Sequence, residues 1–268
     1  MLRRFFVMAA AVIAASALLT APAQATSRHG GYLALGDSVA FGYRPNADYS
    51  NAADFSGYAE KYAALRGLRL ANASCPGETT GSLLVVTAPS NGCENGYRLA
   101  YPLHVSYAGA QIAYAVQYLR SHRDTRLVTL TIGANDMFLC QDTTPDHCTG
   151  ASFTAALNQV SRNLASILSA VRAQYRGDVV LVSYYSLDYR DPTQVAQVKA
   201  LDAALAQVTR RYHGKIADGF TAFLLASLHT GGDPCAAGLL IKLPTGGCDV
   251  HPSAAGHRAL AAALAFAR

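Results

Sequence analysis

At 268 residues, with 51% hydrophobic side chains, the chain is long enough to bury a full core. Its formal charge of +5 falls to 20 basic against 17 acidic side chains once residues 1–25 are set aside, and no Lys/Arg block or stripe occurs. That removes the electrostatic footprint a nucleic-acid-binding protein carries, and the small surplus says little else about partners.

Residues 1–25 read as a signal peptide outside the folded domain, which is expected over 26–268. Arg3 and Arg4 give a positive start, Phe5 to Leu19 is one largely apolar run, and Ala23-Gln24-Ala25 fits a small-x-small cleavage site. The apolar run of 15 residues falls short of the roughly 20 a bilayer-spanning helix needs, so a secreted, extracellular protein is expected rather than an anchored one.

The first strand is expected over Tyr32–Leu35, turning at Gly36-Asp37 into a helix that starts with Ser38-Val39. A polar loop dotted with aromatics follows from Tyr43 to Phe55. Ser56 then opens a helix with Tyr58, Tyr62 and Leu65 on one face, and Leu68–Ala73 reads as a second strand. A turn over Cys75–Gly81 leads into a short helix near Ser82–Val86. Thr87–Gly109 is loop-like, a length that is usually functional or disordered. A helix over Gln111–Ser121 and a β-branched strand over Arg126–Ile132 come next. Thr154–Tyr175 carries one apolar stripe through Leu157, Val160, Leu164, Ile167, Leu168 and Val171. Val179–Tyr184 (strand), Val195–Val208 (helix), Lys215–Ala217 (a short strand) and an Ala-rich helix over Ser253–Ala267 complete the alternation. Strands and helices alternating at this length imply an α/β fold, a parallel sheet with helices on both faces.

All six cysteines lie beyond the leader and fall as three close pairs along the chain: Cys75 with Cys93, Cys140 with Cys148, and Cys235 with Cys248. An even count in an exported chain argues for disulfides, here paired in sequence order. A zinc cluster is disfavoured because no Cys-x-x-Cys occurs.

Ser38 is placed at the carboxyl end of a strand, where open α/β sheets hold their ligands, with its own N–H free at a helix start. Taken alone, Asp37-Ser38 reads more readily as a turn and a helix cap than as a nucleophile. The other parts that an attacking serine needs are present downstream. His251, ahead of Pro252 in a loop before the last helix, is positioned as a base. Gly77 and Gly133-Ala134-Asn135-Asp136 follow strand ends and can supply hydrogen-bond donors to an oxyanion, Asn135 through a side-chain amide that does not titrate. Asp136 is expected to brace its turn rather than to react. Neither a Gly-x-Ser-x-Gly elbow nor a His-Glu-x-x-His, P-loop or Gly-x-Gly-x-x-Gly motif occurs, leaving zinc and nucleotide chemistry unsupported.

Gly36-Asp37-Ser38-Val39, Gly77, Gly133-Ala134-Asn135-Asp136 and Asp249-Val250-His251-Pro252, in this order, resemble the SGNH superfamily of GDSL-type hydrolases, and with the leader and cysteine pairs look most like its secreted actinobacterial lipases, phospholipases and esterases. The resemblance implies a three-layer α/β/α sandwich on a flavodoxin-like parallel sheet of about five strands. It also implies a Ser38 nucleophile, His251 as general base then acid, and an oxyanion hole made by the Ser38 N–H, the Gly77 N–H and the Asn135 side chain. The family's final block is Asp-x-x-His, yet Cys248 stands three before His251 and Asp249 only two before. A dyad of Ser38 and His251, oriented by a main-chain carbonyl at Cys248 or Asp249, is therefore favoured over a triad using the Asp249 carboxylate.

The expected activity is hydrolysis of carboxylic acyl esters, lipid-like ones first, through an acyl-Ser38 intermediate and without a cofactor. Phe41, Tyr43, Tyr49, Phe55, Tyr97, Tyr101 and Tyr107 are expected to line or flank the acyl pocket. Peripheral contact with lipid surfaces and a monomeric state complete the expectation. The alternatives are a carbohydrate acetyl esterase of the same fold and a secreted binding protein that keeps the fold without catalysis.

Overall fold

The computed structural model describes residues 30–268; the leader reading of residues 1–25 lies outside the described residues. The first strand, β1 (Gly31–Gly36), is buried at every position. A strand covered on both faces needs a continuous apolar run rather than alternation, and Tyr-Leu-Ala-Leu supplies it. The chain then runs through α1 (Ser38–Phe41), α2 (Tyr58–Arg66), β2 (Arg69–Asn72), α3 (Thr80–Leu84), α4 (Arg98–Ala100), α5 (Gln111–Ser121) and β3 (Thr125–Thr131). Next come α6 (Ala134–Thr143), α7 (Ala151–Gln174), β4 (Asp178–Val182), α8 (Pro192–Arg211), β5 (Lys215–Ala217) and α9 (Gly219–Ser227). A hairpin of β6 (Leu240–Lys242) and β7 (Cys248–Pro252) and a final helix α10 (Ala254–Ala265) close the chain.

The five strands β1 to β5 form one parallel sheet in the order β2-β1-β3-β4-β5, the flavodoxin-like order. Helices α3, α5, α6, α7 and α8 pack with one another on one side of the sheet, and α1, α2, α9 and α10 on the other. The expected α/β/α sandwich is thus the fold observed. In α7, Val160, Leu164, Ile167, Leu168 and Val171 are buried at helical spacing, which is the stripe that seats the longest helix on the sheet. In α2 the apolar face is narrower than its sequence pattern implies: Tyr58 is buried, but Leu65 is 71% exposed.

This strand order positions the site. From β1 the chain moves outward to β2, then crosses back over β1 to reach β3, so the segments leaving β1 and β3 depart to opposite faces and open a crevice between their carboxyl ends. The approach is close enough to dictate a residue: a Cβ on Gly36, whose φ is +125°, would stand 1.9 Å from the Thr131 carbonyl oxygen. Three segments depart from their sequence readings. The Gly133–Asp136 turn is the start of a ten-residue helix, α6. Residues 219–227, which the sequence reading assigns to no element, form a helix, α9, whose mostly apolar residues mark no single stripe. His251 lies in strand β7 and not in a loop.

Candidate active site

Ser38 is the first residue of α1, and Asp37 caps that helix by accepting the Val39 N–H at 2.9 Å. Both are buried. The nucleophile reading and the cap reading are therefore both accommodated: Asp37 does the capping, leaving the Ser38 hydroxyl free to face outward. His251 Nε2 lies 2.9 Å from Ser38 Oγ across 213 residues of sequence.

On the far side of the ring, Nδ1 contacts Asp249 Oδ1, the same oxygen that accepts the His251 backbone N–H at 2.9 Å. The carboxylate, not a main-chain carbonyl of Cys248 or Asp249, is what meets Nδ1, contrary to the expectation drawn from spacing. The reason is local. In a strand, residues two apart share a face, and an Asx-type contact folds the Asp249 side chain forward onto the second residue along. Burial works to raise the Asp249 carboxyl, but the hydrogen bonds from the His251 side chain and backbone prevail and hold it below its ordinary value. An ionised carboxylate only accepts, so Nδ1 carries the proton and Nε2 is left to accept one from Ser38.

The oxyanion candidates converge on the same crevice. Gly77 has a φ of +84°, and a Cβ there would come within 2.3 Å of the Asn91 carbonyl oxygen, so this turn requires glycine. Asn135, in the first turn of α6, is 6% exposed; its Nδ2 donates to the Glu78 carbonyl at 3.0 Å, and its Oδ1 accepts from Asn91 Nδ2 at 2.9 Å. Ser38, Gly77, Asn135 and His251 all border one cavity. Asp136 reaches away from its own turn, accepting the Thr80 N–H at 2.9 Å and the Thr80 hydroxyl at 2.5 Å, which ties α6 to α3.

Beneath these groups lies a buried polar layer that sequence reasoning missed. Tyr184, just past β4, donates to Asp37 Oδ2 and accepts the Ala134 N–H at 3.2 Å, so one phenol joins the turn after β1 to the turn after β3. Burial pushes the Asp37 carboxyl up to about 6 against the lowering pull of the Tyr184 and Val39 hydrogen bonds. Glu78, next to Gly77, is held by Ser82 Oγ and by Gln111 Nε2 at 2.9 Å, and burial pushes it up to about 8. Sequence offers one signal for such residues: a glutamate beside a glycine turn that is needed in the core.

The cavity encloses about 710 Å³. Tyr43, Tyr49, Tyr97 and Tyr101 line it as expected. Phe41 and Phe55 lie behind them, fully buried in an aromatic cluster with Tyr97, and Tyr107 turns away to donate to the Ala73 carbonyl. The opposite wall, absent from the sequence reading, comes from α6, α7 and α8 through Met137, Phe138, Phe153, Val198 and Leu201. The three disulfides pair in sequence order, Cys75–Cys93, Cys140–Cys148 and Cys235–Cys248. Cys75, Glu78 and Cys93 have the mutual distances of a metal site, but both sulfurs are spent in the first of these bonds.

A serine and a histidine in contact at the switch point of a five-stranded parallel sheet, with amide donors beside them, define a serine-hydrolase type of site on a flavodoxin-like fold. Residues 34–259 match the GDSL-like Lipase/Acylhydrolase family, and the chain belongs to that family. It is accordingly a carboxylic-ester hydrolase of the esterase/lipase kind. No match was found among curated protein sequences. Among solved structures, phospholipase A1 from Streptomyces albidoflavus NA297 is 23% identical, with 90% of this chain and 100% of that chain covered and a TM-score of 0.57. Axe2, an acetylxylan esterase from Geobacillus stearothermophilus, is 19% identical over 88% and 93%, with a TM-score of 0.55. The lipase Lip_vut3 from goat rumen metagenome is 16% identical over 88% and 96%, at 0.57. At these identities the likeness carries the fold.

Proposed function

We propose that this hydrolase is exported and cleaves esters of extended, lipid-like acyl chains through an acyl-Ser38 intermediate. His251 takes the Ser38 hydroxyl proton as the oxygen attacks and returns it to the leaving alcohol, while Asp249 fixes the imidazole tautomer and favours the imidazolium. The oxyanion is received by the Ser38 and Gly77 N–H groups and the second Nδ2 proton of Asn135, which its bond to the Glu78 carbonyl leaves unused. Water then enters by the reverse of the same steps, and no cofactor takes part. Export is supported by the leader pattern of residues 1–25 and by three disulfides, which persist in oxidising surroundings.

The observation that carries the substrate reading is the cavity beside the Ser38–His251 pair, large enough for a ligand far bigger than an acetyl group and walled by aromatic and aliphatic side chains. Each buried methylene contributes about 0.8 kcal/mol, so kcat/KM is expected to rise about fourfold per methylene from acetyl esters upward until the cavity is filled. A series of p-nitrophenyl esters from acetyl to palmitoyl, run beside phospholipid and acetylated xylo-oligosaccharide, measures this. A preference for acetyl over longer chains would select the carbohydrate acetyl esterase instead. In Ser38→Ala, folded to the same melting temperature, all of these activities should vanish; retained activity refutes the nucleophile.

The mouth of the cavity supports contact with a lipid surface. Tyr101, Phe138 and Val250 line it while 40%, 36% and 37% exposed, and Leu99, beside Tyr101 on α4, is 77% exposed. Leu99→Asp is expected to lower turnover of vesicle lipid severalfold while sparing a soluble ester. Equal loss on both substrates would count against the contact.

A further inference from the structure

Resting on the oxyanion reading above, we infer that Asn91 is a positioning residue that holds the two oxyanion donors lying outside the nucleophile turn in a single orientation. Asn91 sits in the long segment between α3 and α4, two residues before Cys93, whose disulfide to Cys75 closes that segment against the Gly77 turn. Its backbone N–H donates to the Gly77 carbonyl at 2.8 Å. Its side-chain Nδ2 donates to Asn135 Oδ1 at 2.9 Å. One residue thus grips the turn after β2 through the main chain and the start of α6 through the side chain, and it borders the same cavity as both.

The consequence for Asn135 is geometric. A carboxamide has two ends that look alike in shape but opposite in polarity, and only the NH₂ end can stabilise an oxyanion. With Asn91 donating to Oδ1 and the Glu78 carbonyl accepting from Nδ2 at 3.0 Å, both ends are specified, leaving the second Nδ2 proton for substrate. Rotation by half a turn would set Asn135 Oδ1 against the Glu78 carbonyl and its NH₂ against the Asn91 NH₂. Both contacts would then be repulsive. A donor fixed before the reaction costs no reorganisation in the transition state, so Asn91 is expected to act on kcat and not on ester binding.

The grip on Gly77 runs through the main chain and survives side-chain substitution, so the Asn91 side chain acts through Asn135 alone. The test is a double-mutant cycle of Asn91→Ala and Asn135→Ala, with kcat and KM measured on one p-nitrophenyl ester and folding checked by thermal melting. Asn135→Ala should lower kcat about 10²- to 10³-fold, the loss typical of one oxyanion donor. Asn91→Ala should lower kcat about tenfold with KM unchanged, and should have no further effect in the Asn135→Ala background. Asn91→Asp, which offers only acceptors and draws the Asn135 amide into the wrong orientation, should lower kcat more than Asn91→Ala does. An Asn91→Ala loss that recurs undiminished without Asn135, or that appears in KM, overturns the inference. So does an unchanged kcat. If Asn135→Ala itself leaves kcat intact, the oxyanion reading fails first and the two failures are told apart.

Discussion

Asp249 is the residue at which spacing and geometry part. A motif read as a string counts residues, and by that count Asp249 is one place out of register with a carboxylate three before the histidine. The count carries no information on backbone path, and in an extended segment with an Asx-type contact the shorter spacing reaches the same nitrogen. This has a measurable consequence. Asp249→Asn keeps the shape but offers Nδ1–H a group that can donate as well as accept, so the imidazole can settle in the wrong tautomer; kcat should fall about 10³- to 10⁴-fold. A loss below about tenfold would mean that the backbone alone orients His251 and would restore the dyad. Ser38, Gly77, Asn135 and His251 were legible because each stands in a short string whose residue types have few other uses in combination. Tyr184 and Asn91 were not, because a lone tyrosine after a strand or an asparagine in a loop has many ordinary roles, and only the fold brings these two against Asp37 and Asn135.

Among the elements, periodicity located the long helices and buried strands to within a few residues, since a stripe such as Val160 to Val171 has one reading. It failed where the pattern is uniform, in α9, or where a functional turn is also a helix start, in α6. The disulfides show what the irregular elements need. Each one lies close to a group of the proposed site: Cys75 is two before Gly77, Cys248 is three before His251, and Cys148 borders the cavity. Loops cannot hold such groups by periodic packing, so covalent staples do it. Cys75–Cys93 and Cys235–Cys248, 18 and 13 residues apart, should each contribute about 3 kcal/mol by restricting the unfolded chain. Replacing Cys235 and Cys248 together with Ser should therefore lower the unfolding free energy by that amount and also reduce kcat, because β7 carries His251, the proposed base. Replacing Cys140 and Cys148 should act mainly on KM for long acyl esters, since that staple supports the cavity wall. Equal effects of the two double mutants on kcat and KM would show that neither staple has a local role.

Across the whole molecule, the catalytic end of the sheet is also where ionisable groups are buried, and this sets stability against activity. Burial pushes Glu78 up to about 8 and Asp202, which accepts the Tyr184 N–H at 3.0 Å, up to about 7. Each has a folded value above its ordinary one, so the stability it contributes is complete below the unfolded value and is lost as pH rises through the folded one. His257 in α10 works in the opposite sense: buried, with neither ring nitrogen partnered among the described residues, it is pushed down to about 3, and its contribution is lost as pH falls from 6.5. Between about pH 4.5 and 6.5 the His257 slope offsets only one of the buried carboxyls, to which Asp37 and Asp136, each pushed up to about 6, also belong; above 6.5 His257 is neutral in both states and the carboxyls act alone. Glu78 then removes stability with each rise in pH, on the order of 2 kcal/mol between pH 6.5 and 8, a sizeable share of a total near 5–15 kcal/mol. A general base must be unprotonated to act, so the chain is expected to lose stability over the range in which its activity is sustained. Glu78→Gln removes the charge while its amide oxygen can still accept from Gln111 and its NH₂ can turn to the Ser82 hydroxyl oxygen, and urea unfolding at pH 6.5, 7.25 and 8 should give a distinctly flatter series than wild type. Parallel series for the two proteins would mean that Glu78 is ionised in the folded state at neutral pH and that its burial contributes nothing to the pH dependence.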